Sequence, residues 1–115
     1  MTLPKAKADA DFEQPSLGKK EAFILEMMLM NRGDDLYGLE MVEASNGMLK
    51  RGTIYVTLQR LEDRGFIESR TESRTRPEVG IPRRLYRITG QGARIFKAHL
   101  AARTAARLVL EGDIA

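Results

Sequence analysis

A short amphipathic segment at residues 50–65 places the tightest constraint on how this chain can fold. Its apolar residues Ile54, Leu58 and Leu61 recur at spacings of four and three, so at about 100° per residue they share one side of a helix. Gly65 can adopt the left-handed conformation that ends a helix, and the apolar residues after it can fold back onto that end. The rest of the chain must therefore cover this apolar face.

The opposite side of this helix has an unusual composition. It combines hydrogen-bonding groups, one small apolar group and positive charge, whereas an ordinary solvated helix surface is lined mainly with Glu and Lys. The residues are Val56, Gln59, Arg60 and Asp63, with Gly52, Thr53 and Tyr55 at the leading edge. This composition indicates a surface that reads a partner.

Size and composition favour one domain in a reducing compartment. A chain of 115 residues with 43% apolar content can bury one core but leaves little room for a second. Cysteine is absent, which excludes disulfides, thiolate metal sites and cysteine nucleophiles. No apolar run approaches the roughly 18 to 20 residues of a membrane span, and no secretory signal is present. We therefore expect a soluble, cytoplasmic protein.

The net charge of +3 is unevenly distributed along the chain. Residues 1–49 carry 5 basic and 9 acidic side chains, whereas residues 50–87 carry 10 basic and 5 acidic ones. The positive charge thus begins where the amphipathic helix begins. Clustered basic charge indicates a polyanionic partner, most often nucleic acid, because neutralising phosphates releases condensed counterions.

Two further helices are predicted before this one. Residues 1–15 read as a flexible N-terminal arm, after which Ser16 is a plausible N-cap for a helix that runs to about Arg32. A second, short helix is predicted over Tyr37–Ser45, with Leu36 among its inward-facing residues. The turn signal Asn46-Gly47 closes it.

The periodicity changes after Gly65. Phe66–Thr71 and Arg83–Thr89 read as two strands, separated by a long tip at residues 72–82 that contains two prolines and a glycine. The hairpin is rich in arginine, namely Arg70, Arg74, Arg76, Arg83 and Arg84. Because an isolated hairpin is only marginally stable, its strands must lean on the helices.

A last amphipathic helix is predicted from about Gln91 to Glu111. With no remaining chain to cover it, its apolar face would be exposed, so a second copy of the protein is the simplest partner. The candidate dimerisation residues are Ile95, Phe96, His99, Ala102, Ala106 and Val109.

This order of elements predicts a mainly α fold with a small β-hairpin: a winged helix-turn-helix domain at residues 16–89 and a C-terminal dimerisation helix at residues 90–115. The residues that fit a known family are Leu36-Tyr37-Gly38-Leu39-Glu40, then Gly52-Thr53-Ile54-Tyr55 with Leu58, Leu61, Gly65 and Ile67, and finally Tyr86-Arg87-Ile88-Thr89 with Gly92. Together they resemble the PadR-type transcriptional regulators over about residues 17–111.

The resemblance implies a homodimeric, nucleoid-associated bacterial repressor whose third helix enters the major groove and whose wing contacts flanking DNA. It also implies that Thr53 and Tyr55 lie near the DNA backbone. Val56 departs from the family pattern, which commonly has proline there, and Leu85 replaces a common aromatic residue. A single short C-terminal helix argues against a large effector cavity.

From this resemblance and the charge pattern, we assign expected roles to the basic and polar residues. Base edges would be read by Gln59 and Arg60, with Val56 offering a methyl group to thymine, while phosphates would be held by Lys50, Arg51, Thr53 and Tyr55 and by Arg74 and Arg76 of the wing. Each role has an alternative. Tyr55 could belong to the core, and Arg60 could pair with Asp63 or Glu62 on the surface. Arg83 and Arg84 could equally solvate a strand or contact DNA.

Two other classes of function are weaker fits to the sequence. A winged-helix protein-interaction module, or an antagonist that pairs its last helix with another regulator, would use the basic segment to bind an acidic partner. An enzyme is disfavoured, since the one histidine, His99, has no second His and no Cys to act with, and no phosphate-binding glycine motif is present. We therefore expect no catalytic residue, no metal and no cofactor. The operator, the regulated genes and any small-molecule effector are not specified.

Overall fold

The computed structural model describes residues 16–72 and 83–112, and these fold into helices packed against a small sheet. The helices of these ranges are α1 (Lys19–Met30), α2 (Gly38–Ala44), α3 (Ile54–Asp63) and α4 (Gly90–Gly112), and the strands are β1 (Leu36–Tyr37), β2 (Ile67–Thr71) and β3 (Arg84–Ile88). The predicted mainly α, winged-helix architecture is confirmed.

The sheet has three antiparallel strands in the order β1-β3-β2, where two were predicted. Leu36, expected to be an inward-facing residue of the second helix, pairs with Tyr86 in β3 instead. Tyr37 likewise belongs to β1, and α2 begins one residue later, at Gly38. A two-residue strand leaves no alternating pattern in the sequence, so periodicity could not have revealed it.

The first helix is shorter at both ends than predicted. It begins after Gly18, not after Ser16, because the Glu21 carboxylate accepts a hydrogen bond of 2.7 Å from the Gly18 amide and so satisfies the first turn. It ends at Met30, since Arg32 and Gly33 both have positive φ angles, 61° and 77°, which no helix can contain.

Helix α3 also begins later than predicted, at Ile54 instead of Lys50. Residues 50–53 form a turn in which the amides of Thr53 and Ile54 both donate to the Lys50 carbonyl, at 3.2 and 2.9 Å. At the other end Gly65 has φ 82°, and the Phe66 amide donates to the Leu61 carbonyl at 3.0 Å, as expected for a glycine-terminated helix. Lys50 and Arg51 therefore precede the helix.

One hydrophobic core joins the helices to the sheet. The predicted inward face of α3, Ile54, Leu58 and Leu61, is almost fully buried. The other buried core residues come from the remaining helices, from β2 and β3, and from the connections: Leu17, Ala22, Ile24, Leu25, Met28, Met41, Leu49, Phe66, Ile67, Tyr86 and Phe96. Because α3 contributes its whole apolar side to this core, its opposite side is fixed in direction and faces outward.

Candidate nucleic-acid interface

The outward side of α3 consists of the residues that the sequence assigned to it. Gln59, Arg60 and Asp63 are exposed, and Val56 is 54% exposed. The first turn of the helix is closed by Thr57, whose buried hydroxyl donates to the Thr53 carbonyl at 3.3 Å. This face is therefore a rigid polar surface with one apolar side chain at its centre.

Tyr55 lies at the edge of this face, next to the start of α2. It is 48% exposed, so it is not a core residue. Its ring covers Gly38 so closely that a Cβ atom added to Gly38 would lie 2.7 Å from the Tyr55 Cε1 atom. The Tyr55 ring thus packs directly against the backbone of Gly38. The two motif residues are in contact although 17 positions separate them in the chain.

The hydrogen bonds of α3 leave Arg60 available. The Gln59 side-chain amide donates to the Asp63 carboxylate at 2.9 Å, and Glu62 accepts from the Ser69 hydroxyl at 2.9 Å. Within the described ranges, Arg60 forms no ion pair with either acid, contrary to the alternative considered from the sequence. Gln59 is held by one of its two amide hydrogens and keeps the other, with its carbonyl, for a partner.

The approach to α3 carries the predicted phosphate-binding residues at the surface. Lys50, Arg51 and Thr53 are exposed in the turn before the helix. A serine that the sequence analysis missed fixes this connection: the buried Ser45 hydroxyl donates to the Val42 carbonyl at 2.7 Å and accepts from the Leu49 amide at 2.9 Å. A serine directly before an Asn-Gly turn was the available signal.

The hairpin sorts its arginines onto two faces. Ser69 pairs with Tyr86 in the register, and side chains alternate along a strand, so Arg84 lies on the same face as the buried Tyr86. Arg70 and Arg87 lie on the other face, where Asp35 accepts a hydrogen bond from each, that of Arg87 at 3.2 Å. The two predicted wing contacts, Arg74 and Arg76, lie outside the described residues.

The two arginines shift the acid–base equilibrium of Asp35. Partial desolvation of the carboxyl group acts to raise its pKa, but the hydrogen bonds and positive charges of Arg70 and Arg87 outweigh that effect, so the pKa lies below its ordinary value. At neutral pH the carboxylate is ionised, and its single negative charge offsets one of the two positive charges of Arg70 and Arg87. The part of the hairpin surface that carries net positive charge is therefore smaller than the number of arginines in the sequence suggested.

An open groove of about 640 Å³ lies between α2 and the hairpin, with Tyr55 contributed by α3. It is lined by Tyr37, Gly38, Leu39, Glu40, Glu43, Tyr55, Arg83, Arg84 and Tyr86. On one side the Tyr37 hydroxyl donates to Glu72 at 3.0 Å, and the Arg83 guanidinium stacks 4.5 Å above the Tyr37 ring. The hydrogen bond to Glu72, helped by desolvation, raises the pKa of Tyr37, so this hydroxyl remains a donor at neutral pH.

The candidate dimerisation residues divide into two groups. Phe96 is only 9% exposed because it packs into the core of its own chain, and Ile95 and His99 are partly buried. Phe96 is therefore not a free interface residue, a correction to the sequence assignment. Ala102, Ala106 and Val109 are exposed. At about 100° per residue these three lie on the Ile95 side of α4, roughly a quarter turn from Phe96.

Comparison with known proteins agrees with this geometry. Residues 24–98 match the Transcriptional regulator PadR-like family. The chain belongs to this family. Membership assigns the chain to DNA-binding regulation of transcription. No curated protein matches the chain.

Solved structures share the fold at low sequence identity. A PadR family transcription regulator from hypervirulent Clostridium difficile is 22% identical, with a TM-score of 0.67 over 85% of this chain and 100% of the other. One from Eggerthella lenta is 21% identical, with a TM-score of 0.63 over 99% and 96%. A MepR mutant from multidrug resistant S. aureus is 19% identical, with a TM-score of 0.70 over 96% and 75%.

Among residues 16–72 and 83–112, no three His, Cys, Asp or Glu side chains come together as a metal site would require. The helices in these same ranges include none that is both long and apolar enough to cross a membrane.

Proposed function

We propose that the protein binds a pseudo-palindromic operator as a homodimer and represses the promoter that contains it. The observation that carries this proposal is the outward face of α3, which is rigid, polar and exposed beside a basic hairpin. A helix about 10 to 12 Å across fits the major groove, and a hairpin next to it can follow the backbone.

The proposed contacts follow from position on α3. Gln59 and Arg60 reach base edges, and the methyl groups of Val56 meet a thymine methyl. The phosphates are held by Lys50, Arg51, Thr53 and Tyr55, and on the wing by Arg74 and Arg76. In this arrangement the α3 face supplies sequence preference, while the surrounding groups supply affinity that does not depend on sequence.

The dimer is supported by the exposed second half of α4. Its last turns expose Val109 on the Ile95 side of the helix, at 62%, and Leu110 next to that side, at 70%. Apolar surface of this kind is usually covered by a partner. We propose that Ala102, Ala106 and Val109, with Ile95 and His99, meet the same residues of a second copy and so present α3 twice.

The first experiment selects duplexes from a randomised library with the wild-type protein and measures binding to a selected and to a scrambled duplex. Gln59→Ala and Arg60→Ala are each expected to weaken binding to the selected duplex by about 1 to 3 kcal/mol and to relax base preference. Arg76→Ala is expected to weaken binding to both duplexes alike. Lys20→Ala, which removes an exposed positive charge from α1, is the control and should change neither.

Contrary outcomes have distinct meanings. If selection enriches no sequence, and binding stays at a non-specific Kd on the order of 10⁻⁴ to 10⁻⁶ M with equal salt dependence on all duplexes, operator binding is refuted and the protein-interaction module gains support. In transcription in vitro from a promoter that carries the selected sequence, repression predicts less transcript as protein is added. More transcript would make the protein an activator.

A further inference from the structure

Three side chains connect the recognition helix to the hairpin through hydrogen bonds. Glu62 lies in the last turn of α3, Ser69 lies in β2, and Arg84 begins β3. The Ser69 hydroxyl is 2.9 Å from both Glu62 carboxylate oxygens and 2.9 Å from the Arg84 Nη1 atom. No other hydrogen bond between side chains of the described residues joins α3 directly to the hairpin.

The direction of these bonds follows from the chemistry of the groups. An ionised carboxylate can only accept, and a guanidinium can only donate, so the single hydroxyl proton of Ser69 must point at Glu62. The lone pairs of the hydroxyl oxygen are then turned toward Arg84. Glu62 thus fixes the orientation of Ser69, and Ser69 in turn fixes the orientation of Arg84.

A neutral partner orients Arg84 without cancelling its charge. Within residues 16–72 and 83–112, Arg84 has no carboxylate within ion-pair distance, whereas Arg70 and Arg87 share Asp35. One of its five N–H groups is held by Ser69, which leaves the others for a further partner. Arg84 is also exposed, so a ligand can reach it.

The position of Arg84 indicates which partner it meets. It lines the groove between α2 and the hairpin, to which α3 contributes Tyr55. On the proposed function, DNA lies against α3. The DNA strand that leaves the major groove beside Tyr55 then passes the protein groove that Arg84 lines. A guanidinium that is oriented by a hydroxyl and keeps free N–H groups suits a phosphate, to which it can donate two parallel hydrogen bonds.

We propose that Arg84 contacts the DNA backbone at the base of the wing, and that Ser69 and Glu62 are positioning residues for this contact. Because the proposal rests on the proposed function, its test uses the duplex selected by the wild-type protein. Because Glu62 belongs to α3, the hydrogen-bond relay also makes the Arg84 contact depend on the position of α3. The protein would then engage the bases and the DNA backbone together.

The test compares two arginines of one strand. Arg84→Ala is expected to weaken binding to selected and scrambled duplexes alike, by roughly three- to tenfold at low salt, and to reduce the slope of log K against log salt by about 1. Arg87→Ala is the matched control, since it removes an equal charge that Asp35 already offsets, and it should leave the slope unchanged. Equal slopes for Arg84→Ala and the wild type would overturn the assignment.

The relay is tested by a double-mutant cycle. Ser69→Ala is expected to weaken DNA binding in the wild-type background, whereas Ser69→Thr should bind as the wild type does because the hydroxyl is kept. In the Arg84→Ala background, Ser69→Ala should have no further effect. An effect of Ser69→Ala that is the same in both backgrounds would overturn the relay. Thermal unfolding of each variant identifies any loss of DNA binding that is due to misfolding. If Ser69→Ala misfolds, Ser69→Thr is compared with the wild type in its place.

If the wild-type protein enriches no duplex, it is the proposed function that fails. If it enriches a duplex and Arg84→Ala binds as the wild type does, only the present inference fails.

Discussion

At the scale of single residues, Gly38 and Tyr55 show why two separate motifs occur together in the chain. The Tyr55 ring occupies the space that a side chain at position 38 would need. Gly38 is buried, and Tyr55 is about half exposed at the edge of the recognition face. The absence of one Cβ atom on α2 thus determines where a phosphate-binding candidate on α3 can lie.

Gly38→Ala is expected to displace the Tyr55 ring and weaken DNA binding about three- to tenfold, with little effect on folding. An added Cβ within 3.0 Å of the ring forces a shift, and the half-exposed ring can swing outward without disturbing the core. Duplex binding and urea unfolding measure the two effects. In a Tyr55→Ala background Gly38→Ala should not weaken binding further, and a similar loss there would contradict the mechanism.

Val56 is one of two residues, with Leu85, at which this chain departs from the pattern that the family resemblance implies, and the backbone shows what valine provides. Its amide donates a hydrogen bond of 3.1 Å to the Thr53 carbonyl, which proline could not do. The first turn of α3 is therefore closed by a backbone hydrogen bond, whereas a proline would fix the backbone φ angle through its ring. The valine side chain is left exposed at the centre of the recognition face.

At the scale of elements, Asp35 attaches the segment before β1 to the outer face of the hairpin through Arg70 and Arg87. The pKa of Asp35 is lower in the folded chain than in the unfolded chain, so the unfolded state binds more protons as the pH falls. The stabilisation is complete above the ordinary carboxyl pKa of 3.8 and is lost as the pH falls through the lower, folded value.

Asp35→Asn should therefore reduce the free energy of unfolding at pH 7 by roughly 0.5 to 1 kcal/mol, a modest figure because both arginines are about half exposed. The difference from the wild type should vanish at acidic pH, once Asp35 is protonated. Urea unfolding of both proteins from neutral to acidic pH measures this. A difference that is independent of pH would show that the ion pairs are not its cause.

The sequence predicted the long elements better than their ends. Four apolar repeats identified the helices, because burial of one face leaves a periodic pattern. The helix starts were wrong where a local cap or turn that the sequence analysis missed determines the first residue, as at Gly18, whose amide donates to the Glu21 carboxylate at 2.7 Å. The Glu62-Ser69-Arg84 relay could not be predicted, since neither strand register nor side-chain direction is visible before the chain is folded.

At the scale of the whole molecule, α3 and α4 are joined by a short connection that hydrogen bonds hold in place. The Thr89 hydroxyl donates to the Gly65 carbonyl at 2.7 Å and accepts from the Gly92 amide at 3.0 Å, which ties the end of α3 to the start of α4. A Cβ atom on Gly92 would overlap the Phe66 carbonyl oxygen. The angle between the two helices is thus fixed by contacts and not by a flexible linker.

This connection gives the proposed dimer a direct role in operator spacing. If α4 pairs with its copy through Ala102, Ala106 and Val109, the separation of the two α3 helices is set by that pairing and by the joint at Gly92. Two half-sites of a duplex must then lie about one helical turn, or a multiple of it, apart. The dimer contact should therefore control affinity for the whole operator but not for a half-site.

Ala106→Glu is expected to dissociate the dimer, raising its dissociation constant at least about tenfold, because a charge would be buried without a partner where two helices approach closely. Thr104→Glu is the matched control: it is exposed on the same helix but lies about half a turn away from the pairing face. Sedimentation equilibrium measures association, and binding to full and half operators measures its consequence. Ala106→Glu should weaken binding to the full operator and leave the half-site unaffected. Equal dissociation in both variants would place the interface elsewhere on α4, and unchanged dissociation in both would remove α4 from the interface.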